Sequence, residues 1–117
     1  MSERLIAVFT PFENLTDPRV ERTRWHDLFE LVVVALCGTI AGADSWVDAE
    51  RFGNERLAWL RTFLKLKNGI PSHDTFNRVF AALDPQAFLE CFLRWTQSLR
   101  RAVAQEIRNN VKSATGL

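Results

Sequence analysis

Tyrosine is absent from the 117 residues, and the aromatic content is nine Phe and four Trp. Such a set fills space and offers few hydroxyls for polar recognition. Cysteine is nearly absent: Cys37 and Cys91 both fall at apolar helical positions. That excludes a disulfide framework and reads as two buried thiols in a reducing compartment. A charge excess of one sign is missing too, since 15 basic residues face 14 acidic ones, for a net charge of +1. The total therefore neither demands nor excludes nucleic acid, and any polyanion contact must come from a local patch. No basic start leads into a sustained apolar run, because LIAVF stops at Thr10-Pro11. A secretion signal and a membrane span are thus not expected. No stretch alternates with period two for long enough to be a strand, and there is no internal repeat or low-complexity segment.

What is present is helical. The stretch Leu28 to Ala43, LFELVVVALCGTIAGA, places Leu28, Leu31, Val32, Ala35, Leu36, Thr39 and Ile40 on one helix face. Phe29, Val33, Val34, Cys37 and Ala41 are apolar as well, so the helix is apolar nearly all round. Such a helix is enclosed by others or spans a membrane. It is shorter than the ~20 apolar residues a span requires, and Glu30 interrupts it. The expected architecture is all-α: a single-domain bundle of about five helices around this buried centre. A chain of this length hides roughly two thirds of its unfolded surface, enough for a core without staples.

Three segments are expected: an N-terminal arm over residues 1–16, a helical domain over 17–105 and a frayed tail over 106–117. Leu5 to Phe9 reads as one helical turn or a short extended piece, with Phe12 and Leu15 clipping the arm to the body. Asp17-Pro18 and Asp84-Pro85 both read as helix starts. Gly38 and Gly42 leave room for a neighbour, and Gly42 helps to end the central helix. Ser45 with Asp48 resembles a capping box, and Gly53-Asn54 marks a break. Leu57, Leu60 and Leu64 define a short helix; KLKNGIPS, residues 65–72, is a loop; Ser72 caps the helix carrying Phe76, Val79, Phe80 and Leu83. The final helix carries Phe88, Cys91, Phe92, Trp95, Leu99, Ala102 and Val103 in its stripe.

Catalytic chemistry finds little support. Ser72, His73 and Asp74 are the residue types of a hydrolase triad, but neighbours on a helix fan out by about 100° each and cannot line up. His26, His73, Cys37 and Cys91 lack ligand spacing for a metal. The acids Asp27 and Glu30, and Asp44, Asp48 and Glu50, cluster at helix starts, where dipole pairing and solvation account for them. The best-supported functional surface is nucleic-acid contact by Lys65, Lys67, Asn68, Ser72, His73, Asn77 and Arg78. There a helix N-terminus offers N–H groups to phosphate, while Asn77 and Arg78 are types that read base edges. The loop is longer than the three to four residues of a strict helix-turn-helix.

The strings GADSW, RFGNERLAWLRTFLKLKNGIPSHDTFNRVFAALDP and FLECFLRW, with FENLTDPR and His26 before them, resemble one family. It is the N-terminal associated region of insertion-sequence DDE transposases, the group that includes the H-repeat proteins found beside Rhs elements. The resemblance covers about Phe12 to Gln97. It implies a cytoplasmic bacterial protein concerned with metal-dependent DNA strand cleavage and transfer. The catalytic acids of that family lie in a separate RNase H-like domain that follows, opening on an Asp-Gly-Lys strand. IRNNVKSATGL has no such motif. The expectation is therefore a truncated chain with no catalytic residue and no cofactor of its own, the divalent metal belonging to the missing domain. Its expected partners are DNA, in the form of terminal inverted repeats, and that catalytic domain or a second copy of the chain, with no membrane. Recognition of element ends would use the Lys65 to Arg78 surface, with Arg19, Arg22 and Arg24 as further contacts. The alternatives are an assembly module or an inactive remnant.

Overall fold

A computed structural model describes residues 2–20 and 24–115. The architecture is all-α, with no strand among the described residues. Among the described residues six α-helices follow one another: α1 (Ser2–Val8), α2 (Leu28–Ile40), α3 (Trp46–Glu55), α4 (Leu57–Leu60), α5 (His73–Ala82) and α6 (Pro85–Thr115). A 3₁₀ turn, Thr10–Asn14, joins α1 to the body. The element beyond the five expected is α1, where the arm takes the helical one of its two expected readings.

The centre is α2. Leu28 and every residue from Leu31 to Gly38 are buried. Each fully buried Leu or Val contributes about 1.5–3 kcal/mol, so this helix is the main apolar investment of the chain. It packs on α3 and on the 3₁₀ turn, and α3 in turn packs on α5. The enclosure is incomplete at one end: Ile40, on the expected buried face, is 67% exposed. Gly42, at φ +105°, turns the chain there in a conformation that side chains resist. Gly38 lies against Ala49 and Phe52 of α3, which gives the close approach its size permits.

Capping follows local rules in most places. Asp27 accepts from the Glu30 N–H, Ser45 from Asp48 N–H and Ser72 from Thr75 N–H. The Ser45 box is half reciprocal, because the Asp48 carboxylate accepts from Asp44 N–H instead. Asp84-Pro85 opens α6, with Asp84 accepting from Gln86 N–H at 3.1 Å. Asp17-Pro18 opens nothing: no helix lies between the 3₁₀ turn and Asp27 among the described residues. The Asp17 carboxylate is taken by Arg19, through its backbone N–H at 3.0 Å and its guanidinium at 3.0 and 2.8 Å. Gly53-Asn54 is no break either, since α3 continues to Glu55 and bends at Arg56. Gly53 is small because Ile70 sits on it: a Cβ there would lie 2.7 Å from Ile70 Cγ2.

The arm is clipped as expected, with Phe12 and Leu15 buried. Phe9 and Phe12 form an aromatic cluster with Phe88, Phe92 and Trp95 of α6, at ring separations of 5.4–6.3 Å. Trp46 stacks on Phe76 and Phe80 in a second cluster that joins α3 to α5. The cysteine thiols are buried and unpaired with each other, and burial pushes Cys37 up to about 11. Beyond Leu99, α6 runs clear of the body. Val103 is exposed, as is every residue from Gln105 to Lys112, but the backbone stays helical to Thr115 rather than fraying after Gln105. An α-helix of that length spans about 46 Å, which accounts for the 56 Å long axis.

Trp95 is 6% exposed and its indole N–H has no acceptor. Trp95→Ala is expected to lower stability by about 3–5 kcal/mol. Trp95→Phe is expected to cost far less, because it also removes the unsatisfied donor. Urea unfolding of the two variants checks both values.

Candidate nucleic-acid interface

The loop from Arg61 to Ser72 is held from behind by side chains far away in sequence. Glu30, in the first turn of α2, turns its carboxylate to the loop and accepts from Lys65 N–H at 2.7 Å and Leu66 N–H at 3.1 Å. Leu66 has φ +46°, a left-handed conformation that costs a branched side chain of order 1–2 kcal/mol. Its apolar side chain is nonetheless buried, and its carbonyl accepts from Arg61 at 3.0 Å. The Asn68 amide donates to the Trp25 carbonyl at 2.6 Å, tying the loop to the segment before α2. Sequence reasoning missed this clamp. One signal pointed to it: Glu30 is the lone carboxylate in an apolar run, and a half-buried carboxylate needs donors.

Placed on this frame, the seven expected contact residues divide by what their polar groups already do. Lys65 and Lys67 are exposed and pair with no carboxylate among the described residues. Asn77 and Arg78 are exposed on α5; Arg78 makes one long contact, 3.5 Å to the Thr75 hydroxyl. Asn68 is spent on Trp25 and Ser72 on the cap of α5. His73 is spent on Glu50 of α3, whose Oε1 accepts from His73 N–H at 2.6 Å and lies 2.8 Å from Nδ1. At the start of α5, where a phosphate seat is expected, the His73 and Thr75 amides already have acceptors.

A groove of about 830 Å³ brings Lys65, Lys67 and Asn68 together with Arg24, Trp25 and His26. Asn77 and Arg78 lie outside it. Of the expected arginines, Arg19 is structural: it is almost enclosed with Asp17 and also donates to the His26 carbonyl at 2.6 Å. Burial raises the Asp17 pKa, but the Arg19 hydrogen bonds outweigh it and hold the carboxyl below its usual value. Arg24 leans on Asp17 at 3.5 Å and keeps an exposed side chain. Arg22 lies outside the described residues. Burial, with Arg19 nearby, holds His26 below its ordinary pKa, which leaves it neutral at pH 7.

The arrangement leaves the side chains of Lys65, Lys67, Asn77 and Arg78 exposed to solvent. The Ser72 hydroxyl faces Thr75 rather than His73. No group of three or more His, Cys, Asp or Glu side chains converges to hold a metal among the described residues, and no helix is long and apolar enough to cross a membrane.

A family model described as DDE_Tnp_1-associated matches residues 9–96, and the chain belongs to that family, an N-terminal associated domain of DDE transposases. The chain is 44% identical over 90 residues to an uncharacterised protein of Xanthobacter autotrophicus, in the 3′ region of dhlA, covering 76% of this chain and 30% of that protein. It is 40% identical over 82 residues to the putative transposase YncI of Escherichia coli K12, covering 70% of this chain and 33% of YncI. It is 41% identical over 54 residues to the inactive transposase YbfQ of the same strain, covering 46% of this chain and 64% of YbfQ. The chain thus spans a third or less of the length of the first two relatives. No solved structure matches it.

Two expectations follow from the geometry. Glu30→Ala removes the acceptor for two loop amides, so stability is expected to fall by about 1–3 kcal/mol; hydrogen exchange at Lys65 and Leu66 is expected to accelerate more than in α6. The second concerns pH. The Glu50 hydrogen bond raises the His73 pKa above 6.5, and the His73 backbone and ring hydrogen bonds lower the Glu50 pKa below 4.5. The His73 contribution is complete below pH 6.5 and is lost as pH rises through the raised value. The Glu50 contribution is complete above pH 4.5 and is lost as pH falls through the lowered value. Melting temperature is expected to decline slightly from pH 6.5 upward in the wild type and to stay flatter in His73→Asn, as read by calorimetry across a pH series.

Proposed function

We propose that this domain binds DNA for a transposition apparatus, gripping the ends of a mobile element and leaving bond breaking to a catalytic domain. One observation carries the reading: Lys65 and Lys67, without carboxylate partners among the described residues, stand on a loop whose backbone Glu30 clamps. A cation held on a rigid loop loses little entropy on meeting a phosphate, so it suits register on a duplex. Asn77 and Arg78 extend the surface along α5 with groups of the kind that read base edges. The names of the relatives, putative transposases among them, support the same direction. In this reading the partners are DNA and the catalytic domain, the setting is the cytoplasm, and no catalytic step and no cofactor is assigned to residues of this chain.

A second reading, assembly, draws on a different surface. Ile40 and Trp59 are exposed beside an apolar groove of about 480 Å³ that Leu5, Val8 and Leu99 also line. Leu99, Val103 and Ile107 continue the apolar face along α6. Light scattering tests this reading: a monomer at high concentration removes self-association.

DNA binding is tested by gel shift with terminal inverted-repeat duplex across a salt series. Lys65→Ala and Lys67→Ala are each expected to reduce the salt slope by about 0.9. Arg78→Ala is expected to weaken binding while leaving the melting temperature unchanged, because its side chain is exposed. No shift even at low salt removes the reading.

A further inference from the structure

Trp25 is the most exposed large hydrophobic residue described, at 69%. Most of the other aromatic rings pack in the clusters that hold α6 and α5 to the body, while Trp59, 44% exposed, rests its ring against Phe63. An indole left in water needs a reason, and its surroundings supply one. It lines the groove that also contains Arg24, Lys65 and Lys67. Its backbone is pinned by Asn68, whose amide donates to the Trp25 carbonyl at 2.6 Å, and the adjoining loop is pinned by Glu30. The ring therefore projects from an anchored segment.

Four carboxylates line the same groove. Asp17 is ion-paired with Arg19 and Arg24, while Asp27 and Glu30 accept backbone N–H groups and keep their charge, as does the exposed Glu13. Beside them, Lys65 and Lys67 pair with no carboxylate among the described residues. An accessible aromatic face flanked by cations on a fixed frame is the chemistry that holds an unstacked base, the ring taking the base and the cations its phosphates.

We infer that this groove receives an unpaired nucleotide of a DNA end, with its base stacked on Trp25 and its backbone held by Lys65 and Lys67. The inference rests on the DNA-binding reading above and deepens it: the preferred ligand is a duplex with a single-stranded extension rather than a closed duplex. Asn68 becomes a positioning residue, acting through the Trp25 backbone rather than on a base edge. The groove volume of about 830 Å³ lies within the range of cavities that take small ligands.

The test compares a blunt duplex with the same duplex carrying a short single-stranded extension that contains 2-aminopurine. Binding is read by anisotropy and stacking by quenching of the 2-aminopurine emission. The extended duplex is expected to bind roughly tenfold more tightly, with quenched emission, as one stacked base implies. Trp25→Ala is expected to abolish the preference and the quenching, so that the two duplexes bind alike; Trp25→Phe is expected to keep most of both. Equal affinity of the wild type for the two duplexes overturns the inference and leaves the DNA-binding reading standing. So does retention of preference and quenching in Trp25→Ala. Failure to bind either duplex overturns both.

Discussion

A helix that is apolar on every side must be wrapped, and α2 imposes that demand on everything around it. Its residues from Leu31 to Gly38 are buried, and among the elements packed on it are α3 and the 3₁₀ turn after α1. The wrapping also explains the single charged residue of the helix. Glu30 sits at the start of the helix, where a carboxylate is favoured by the dipole, and reaches the loop amides of Lys65 and Leu66. The same helix therefore supplies the core and the anchor of the 61–72 loop. A loop held by a core element is more rigid than its length suggests, which is what a recognition surface needs.

The polar links around the loop and the segments beside it form a second level of order. Glu30 to the loop, Asn68 to Trp25, Arg61 to Leu66, Glu50 to His73 and Arg19 to Asp17 each join segments or hold an irregular turn. None is a large stabiliser by itself, since partly exposed polar contacts contribute modestly in water. Their effect is conformational: they hold Leu66 at positive φ and keep the 24–27 segment against the loop. The side chains left over, Lys65, Lys67, Asn77 and Arg78, are those with room to meet an outside partner.

The fold was largely legible in the residues. The central helix, Ser72 cap, Asp84-Pro85 start and buried stripe of α5 follow from contacts three or four residues apart. The stripe of α6 was legible only as far as its partners reach: Leu99 is half-buried, while Val103 continues the same face into water because the packed elements stop before it. The candidate site was half legible. Its position, the loop and the start of α5, came from turn residues and basic side chains. The division of labour within it did not, because Asn68, Ser72 and His73 look like contact residues until their internal partners are seen.

Two Asp-Pro pairs state the boundary between the levels most clearly. Asp17-Pro18 and Asp84-Pro85 are the same dipeptide, yet the second starts α6 while the first lies in an irregular segment where Arg19 takes the carboxylate. By itself, then, the sequence determined the all-α class, the buried rod, most helix starts and the family, because these depend on periodicity, capping and motif within short windows. Only the tertiary structure decided which polar groups are consumed internally and which face outward. Those choices join residues as far apart as Glu30 and Lys65, and a pairing across that separation depends on how the helices pack, which no local pattern encodes.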